Sequence, residues 1–144
     1  MELPFKRLDP EATLPERAHP GDAGLDLRSA VDLEVEPGAR AMVPTGLAVA
    51  IPEGYAGLVL PRSGLASKQG LTLANAPGLI DAGYRGEVIC AVVNLDREQA
   101  VRIGRGDRIA QLVIVAVPEV VSGFVDELPP STRGAGGFGS TGTS

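Results

Sequence analysis

The chain has no tryptophan, only five other aromatic residues (three Phe, two Tyr), one cysteine and one histidine among its 144 residues. A core so poor in aromatics must be filled with Val, Leu, Ile and Ala, and 44% of the chain is hydrophobic. The single Cys90 excludes an intrachain disulfide. Set inside Val88-Ile89-Cys90-Ala91-Val92-Val93, it reads as a small core residue. The lone His19 has no cysteine or second histidine with which to hold a metal, which argues against a zinc site. No apolar run approaches the length of a membrane span, and no signal-like stretch opens the chain. A soluble, cytoplasmic protein with no membrane partner is expected. Basic charge is not in excess either: the net charge is -5 and the pI about 4.8. That speaks against stable nucleic acid binding, which needs a basic face. An acidic protein still binds phosphate where a few arginines converge.

What is abundant is Gly (19) and Pro (12), together 31 of 144 residues. So many breakers exclude a helical bundle and point to short strands joined by turns. Extended segments are expected at Gly46 to Ile51 and Tyr55 to Leu60, separated by the turn Pro52-Glu53-Gly54. Two further β-prone runs cover Glu87 to Leu95 and Arg108 to Val117, with Gly104-Arg105-Gly106-Asp107 as a turn before the second. Near the N-terminus, Leu25 and Leu27, then Leu33 and Val35, alternate with polar neighbours. Only one stretch looks helical: Ser63 is placed to cap a short helix that Gly70 ends. The domain expected is all-β over residues 1–128, followed by a Gly/Ser/Thr-rich arm over 129–144. The 14 residues beyond Pro130 reach up to about 46 Å when extended, enough to cover a neighbouring subunit.

Five short blocks carry candidate chemistry. Gly78-Leu79-Ile80-Asp81-Ala82-Gly83-Tyr84-Arg85-Gly86-Glu87 brings a carboxylate, an aromatic ring and a guanidinium to one glycine-flanked turn. Its bland alternative is a hairpin turn with a solvated Asp. Arg133-Gly-Ala-Gly-Gly-Phe138-Gly-Ser140-Thr141-Gly142 reads on composition alone as a flexible end. Yet it holds one of the few aromatics, able to stack on a base, beside an Arg, two hydroxyls and a backbone able to cradle phosphate. Arg62, with the start of the short helix, forms a possible anion site. Asp26, between two leucines, either faces solvent or serves an Arg or a metal. Gly106-Asp107-Arg108-Ile109-Ala110-Gln111 is the plainest block, a turn leading into a strand. Together they supply arginines, a cradle, a possible base, a metal carboxylate and aromatics, the parts needed to bind and cleave a nucleoside triphosphate.

The chain strongly resembles the trimeric dUTPase family. Five family motifs occur in order: AGLDLRSA at 23–30, PRSGLA at 61–66, GLIDAGYRGE at 78–87, GDRIAQLV at 106–113 and RGAGGFGSTG at 133–142. The resemblance implies a jelly-roll-like β-barrel in a homotrimer, with active sites at subunit interfaces and a C-terminal arm as a lid. It implies Mg2+-assisted hydrolysis of dUTP to dUMP and pyrophosphate, which would limit uracil incorporation into DNA and supply dUMP for dTMP synthesis. By matching position, Asp81 would be the general base for water attacking the α-phosphorus, and Asp26 would hold Mg2+ through water. Arg62, Ser63, Gly64 and Gln111 would bind phosphates. Arg133, Ser140 and Thr141 would clamp the γ end, and Phe138 would stack on uracil. Asn75, Leu79, Ile80 and Ile89 would read the base edge, and Tyr84 would exclude a ribose 2′-hydroxyl. The one departure noted in these motifs is Leu79, where family members often carry Thr or Val.

Three alternatives remain at this point. A dCTP deaminase shares the fold but needs a glutamate beside the base amino group and lacks the terminal glycine-rich motif; ammonia release from dCTP discriminates it. A nucleotide sensor would bind without turnover, and pyrophosphate release separates it. A generic β interaction module would tolerate loss of Phe138 and Arg133.

Overall fold

The computed structural model describes residues 1–139. In chain order its elements are β1 (Phe5–Arg7), β2 (Leu25–Arg28), β3 (Leu33–Val35), β4 (Arg40–Val49), β5 (Tyr55–Pro61), α1 (Ser63–Gln69), β6 (Leu71–Leu73), β7 (Gly78–Ile80), β8 (Glu87–Asn94), β9 (Val101–Ile103) and β10 (Arg108–Ala116). Two four-stranded antiparallel sheets, β1-β4-β8-β6 and β2-β10-β5-β7, and a β3-β9 ribbon make up the jelly-roll-like barrel. The alternation of the sequence becomes an inward row: along β8, Val88, Cys90, Val92 and Asn94 are buried while Glu87, Ile89, Ala91 and Val93 are less so. The core joins Leu27, Val35, Val43, Val49, Ile51, Val59, Leu71, Val92 and Leu112. All five aromatics lie outside the fully buried set, as the aliphatic composition demands.

Two local expectations are corrected. Ser63 does not cap α1. Arg62 is the N-cap residue, at φ -90 and ψ 125, and no side chain caps the helix. The chain leaves β5 still extended, so the helix begins one residue earlier than a serine cap requires. Gly70 does end it, at φ 68, its N–H donating to Ala66 O at 3.1 Å. Residues 78–87 are also not a hairpin: β7 pairs with β5, whereas β8 pairs with β4 and β6. The loop between them crosses from one sheet to the other. Of the apolar stretch GLAVAI, residues 46–49 prove to be the end of a longer strand, β4, which begins at Arg40, and Ala50 and Ile51 lie beyond it.

Beyond β10 the chain leaves the barrel. Val117 N–H still donates to Gly54 O at 2.8 Å. Among the described residues, every hydrogen bond of 118–139 is internal to that segment. Val120, Val121, Phe124, Val125 and Leu128 are exposed there. No helix among the described residues is long and apolar enough to cross a membrane.

Candidate active site

Two separate clusters of functional side chains stand on this scaffold. The first is a cavity of about 290 Å³ between the two sheets. Asn75, Leu79, Ile80, Tyr84 and Ile89, five of the residues expected around the nucleoside, line it together with Gly78 and Asp81. Its rim is apolar, with Met42, Leu79, Tyr84 and Ile89 all exposed. β7 is the last strand of its sheet, so alternate residues turn their N–H and C=O groups away from β5 with no ladder partner. Across the cavity, β6 stops at Leu73 opposite Val92, and Ala74 N–H donates to Ala91 O at 2.8 Å. β8 then runs on through Ile89 to Glu87 with no strand on that side. The cavity thus lies between two open stretches of backbone, each offering donors and acceptors at strand spacing. A flat ring with alternating imide donors and acceptors fits such walls. The Asn75 side chain lies over Gly78, where an added Cβ would stand 3.3 Å from its amide nitrogen.

Four residues around the cavity can exchange protons: Asp81, Tyr84, Glu87 and Cys90. Glu87 Oε1 accepts the Gly46 N–H at 2.7 Å. Tyr84 donates its hydroxyl to Glu87 O at 2.9 Å. Burial pushes the Cys90 thiol up to about 12, so it stays protonated at neutral pH and is no nucleophile. Asp81 is exposed like Tyr84, but it alone of the four is both exposed and, among the described residues, without a hydrogen bond or ion pair on its side chain. It is held from the backbone instead, its C=O accepting the Tyr84 N–H at 3.0 Å. Arg85 braces the same turn by donating to Ala82 O and Tyr84 O at 2.6 and 2.8 Å. The cation expected at this turn is therefore occupied by the turn's own carbonyls.

The second cluster joins β2, β5 and β10. Asp26 Oδ1 lies 3.4 Å from Arg62 Nε, and its Oδ2 lies 3.2 Å from an Arg108 terminal nitrogen. Arg62 also donates to Arg108 O at 3.3 Å. Gln111 sits directly opposite Asp26 in the ladder and donates to Pro61 O at 3.1 Å. The Gln111 side chain fills the space where Gly24 has no Cβ; any larger residue at 24 would collide with it. Arg62, Ser63 and Gly64 follow at the start of α1, whose first-turn N–H groups have no intrahelical acceptors. Asp26, Arg62 and Gln111 are thus brought together. Asp26 serves two arginines rather than solvent. Arg108, which the sequence reading left without a role, is part of the cluster; its only sequence signal was its place between Asp107 and Gln111.

These two clusters do not meet within one chain. Asp81 follows Ile80, which pairs with Gly57, whereas Asp26 is level with Leu60 across Gln111, and Arg62 lies beyond Pro61. Asp81 and Asp26 are therefore about four residues apart along the sheet and three strand spacings apart across it, about 20 Å. Arg62 is as far away along β5. Arg133 is exposed and donates to Gly136 O at 2.8 Å, and Phe138 is wholly exposed at a left-handed φ of 48. Neither joins either cluster. Ser140 and Thr141 lie outside the described residues.

Among the described residues no three carboxylate, His or Cys side chains form a metal-binding group. Asp26 is a single carboxylate whose two oxygens already face guanidinium groups. That donor set fits an ion that keeps its own waters and arrives with phosphate ligands, as magnesium does, and does not fit a closed structural site.

Comparison with known proteins supplies an independent line. The family described as dUTPase matches residues 10–142. A deoxyuridine 5'-triphosphate nucleotidohydrolase of Streptomyces coelicolor is 58% identical over 142 residues, covering 99% of this chain and 78% of that protein. One from Mycolicibacterium gilvum is 57% identical over 145 residues, covering 97% of this chain and 94% of that protein. Among solved structures, the dUTPase of Staphylococcus bacteriophage 80alpha with dUPNHPP superposes at a TM-score of 0.91 with 37% identity, covering 99% of each chain. A mutant dUTPase of phage phi11 of S. aureus, described with a coordinated structural Mg(II) ion, gives a TM-score of 0.82 at 34% identity, covering 88% of this chain and 98% of that one.

Proposed function

This chain belongs to the dUTPase family, whose activity is the hydrolysis of dUTP, and from that premise we propose how its two clusters divide the work. The cavity holds the deoxyuridine, the arginine cluster holds the phosphates, and a complete site forms only where one chain's cavity meets another chain's arginines. The observation that carries this reading is the separation of Asp81 from Asp26 and Arg62 by about 20 Å of sheet. A base at the α-phosphorus and a cation on the same triphosphate must lie within a few ångströms of that chain of atoms. One protomer does not achieve this; a ring of three, repeating one heterologous contact, does. The exposed apolar residues of 118–128 are consistent with a segment that packs on a second copy. Residues 129–144 then act as an arm over a neighbour's site, with Arg133, Ser140 and Thr141 on the γ end and Phe138 over the base.

Within that site the free carboxylate of Asp81 orients a water and takes its proton as the oxygen attacks the α-phosphorus. The P–O bond to the β-phosphate breaks and pyrophosphate leaves with dUMP retained. Arg62, Gln111 and the N–H groups of Ser63 and Gly64 hold the phosphate oxygens and take up the charge that develops on the leaving group. Magnesium, held through water by Asp26, would supply further neutralisation of that charge. Backbone groups of Leu79, Ile80 and Ile89, with Asn75, read the uracil edge. Cytosine would leave buried groups unpaired, which rejects by about 10⁴–10⁵-fold. The product serves dTMP synthesis, and removing dUTP limits uracil in DNA.

The test is pyrophosphate release from dUTP by the purified chain and by Asp81→Asn. The wild type should turn over dUTP in the presence of Mg2+ and not release ammonia from dCTP. Asp81→Asn should lose about 10²–10⁴-fold in kcat while still binding dUMP. A variant that keeps the wild-type rate removes Asp81 from the base role.

A further inference from the structure

We propose that Arg108 is a positioning residue that locks Asp26 and Arg62 into one unit. The inference rests on the phosphate-side role of those two residues set out above. Its origin lies in an irregularity of β10. The register along β2 reads Arg108 opposite Arg28, Ala110 opposite Leu27 and Gln111 opposite Asp26, with a shift between Arg108 and Ala110. Ile109 is the extra residue, and Ile109 and Ala110 are consecutively buried. In a regular strand, positions 108 and 111 would face opposite sides. The bulge turns Arg108 onto the side of Gln111 and Asp26.

From there Arg108 acts twice. Its guanidinium meets Asp26 Oδ2 at 3.2 Å, and its carbonyl accepts from Arg62 at 3.3 Å. Arg62 is thereby fixed at two points, Nε on Asp26 and one terminal nitrogen on the Arg108 carbonyl, with donors left over for a ligand. The facing Arg28 makes no contact with Asp26, its guanidinium donating instead to Gly106 O at 2.8 Å. One carboxylate shared by two guanidinium groups leaves a net positive charge at the cluster, which suits a polyanion. The Arg108 side chain is 41% exposed, and an ion pair this open adds little to folding stability. Its value is therefore geometric: without the Arg108 guanidinium, Asp26 is held only through its 3.4 Å contact to Arg62 Nε, and the pair loses the brace that fixes the carboxylate plane.

The experiment is a double-mutant cycle on the full chain, combining Arg108→Gln and Arg108→Lys with Asp26→Asn. It reads the Kd of the imido analogue dUpNHpp, the Kd of dUMP, and kcat for dUTP with Mg2+. Arg108→Gln should weaken dUpNHpp and lower kcat by about 10–100-fold, the range for residues that orient a functional carboxylate. Binding of dUMP should change less, because it lacks the β- and γ-phosphates that the arginine cluster holds. Both substitutions keep the backbone carbonyl that Arg62 meets, but Arg108→Lys also keeps a charge for Asp26 and should recover part of the loss. In the Asp26→Asn background, the further effect of either substitution should vanish. Unchanged dUpNHpp affinity in Arg108→Gln, or effects that multiply independently of Asp26, overturns the inference. Should the Gln variant not fold, the Lys variant carries the same cycle. Wild-type turnover separates the two readings: no turnover of dUTP sinks the functional assignment, whereas normal turnover with an indifferent Arg108 sinks only this inference.

Discussion

Tyr84 owes its place to a side chain that is missing two residues later. A Cβ on Gly86 would collide with the Tyr84 hydroxyl and ring, so only glycine lets the phenol lie back across the turn and reach Glu87 O. The ring is thus fixed at the cavity wall, and the role proposed for it is to close the space a ribose 2′-hydroxyl would need. Gly86→Ala should evict the ring and, like Tyr84→Ala, raise the use of UTP relative to dUTP by about tenfold, the scale for loss of a steric barrier in a pocket. Tyr84→Phe keeps the ring and loses one hydrogen bond, about 1 kcal/mol, and should discriminate as the wild type does. The ratio of kcat/KM for dUTP and UTP checks all three; an unchanged ratio in Gly86→Ala and Tyr84→Ala contradicts the role. At this scale the sequence was informative about residue types: Asp81 in a glycine-flanked turn is legible as a candidate base. Its freedom is not, because it depends on Arg85, the cation of the same turn, being taken up by Ala82 O and Tyr84 O.

Among the elements, the strands follow from alternation and the turns from Gly and Pro, and both were legible. Three features were not. The helix start was misplaced because Arg62 remains extended and its side chain turns to Asp26. The loop 81–86 looks like a hairpin locally, and only the pairing of β7 with β5 shows that it spans two sheets. Asn94 gives no sequence signal at all, yet it ties three elements together. Wholly buried at the end of β8, it donates to Val35 O at 2.9 Å and Gln99 O at 2.8 Å, and accepts the Asp96 N–H at 2.9 Å. Substitution strands all three partners. Asn94→Ala should cost about 2–4 kcal/mol, the scale for leaving buried polar groups unpaired. Denaturant unfolding measures it, and a loss below that range would show that water replaces the amide.

For the whole molecule, sequence order and spatial order part company. The motifs lie along one chain as if they built one site, but the fold sends them to opposite ends of a sheet, and the segment after β10 leaves the barrel with its apolar side chains uncovered. No single-chain pattern encodes that geometry, since strand order within a sheet is set by long-range packing. The measurement that tests shared sites most directly is complementation. Asp81→Asn and Arg62→Gln, each inactive alone, are refolded together in equal amounts and assayed for pyrophosphate release from dUTP. If each site takes its base from one protomer and its phosphate-binding arginine from another, random assembly should restore about one quarter of the wild-type rate. If both residues serve the same site from the same chain, no mixed assembly holds an intact pair, and the mixture will stay as inactive as its parts.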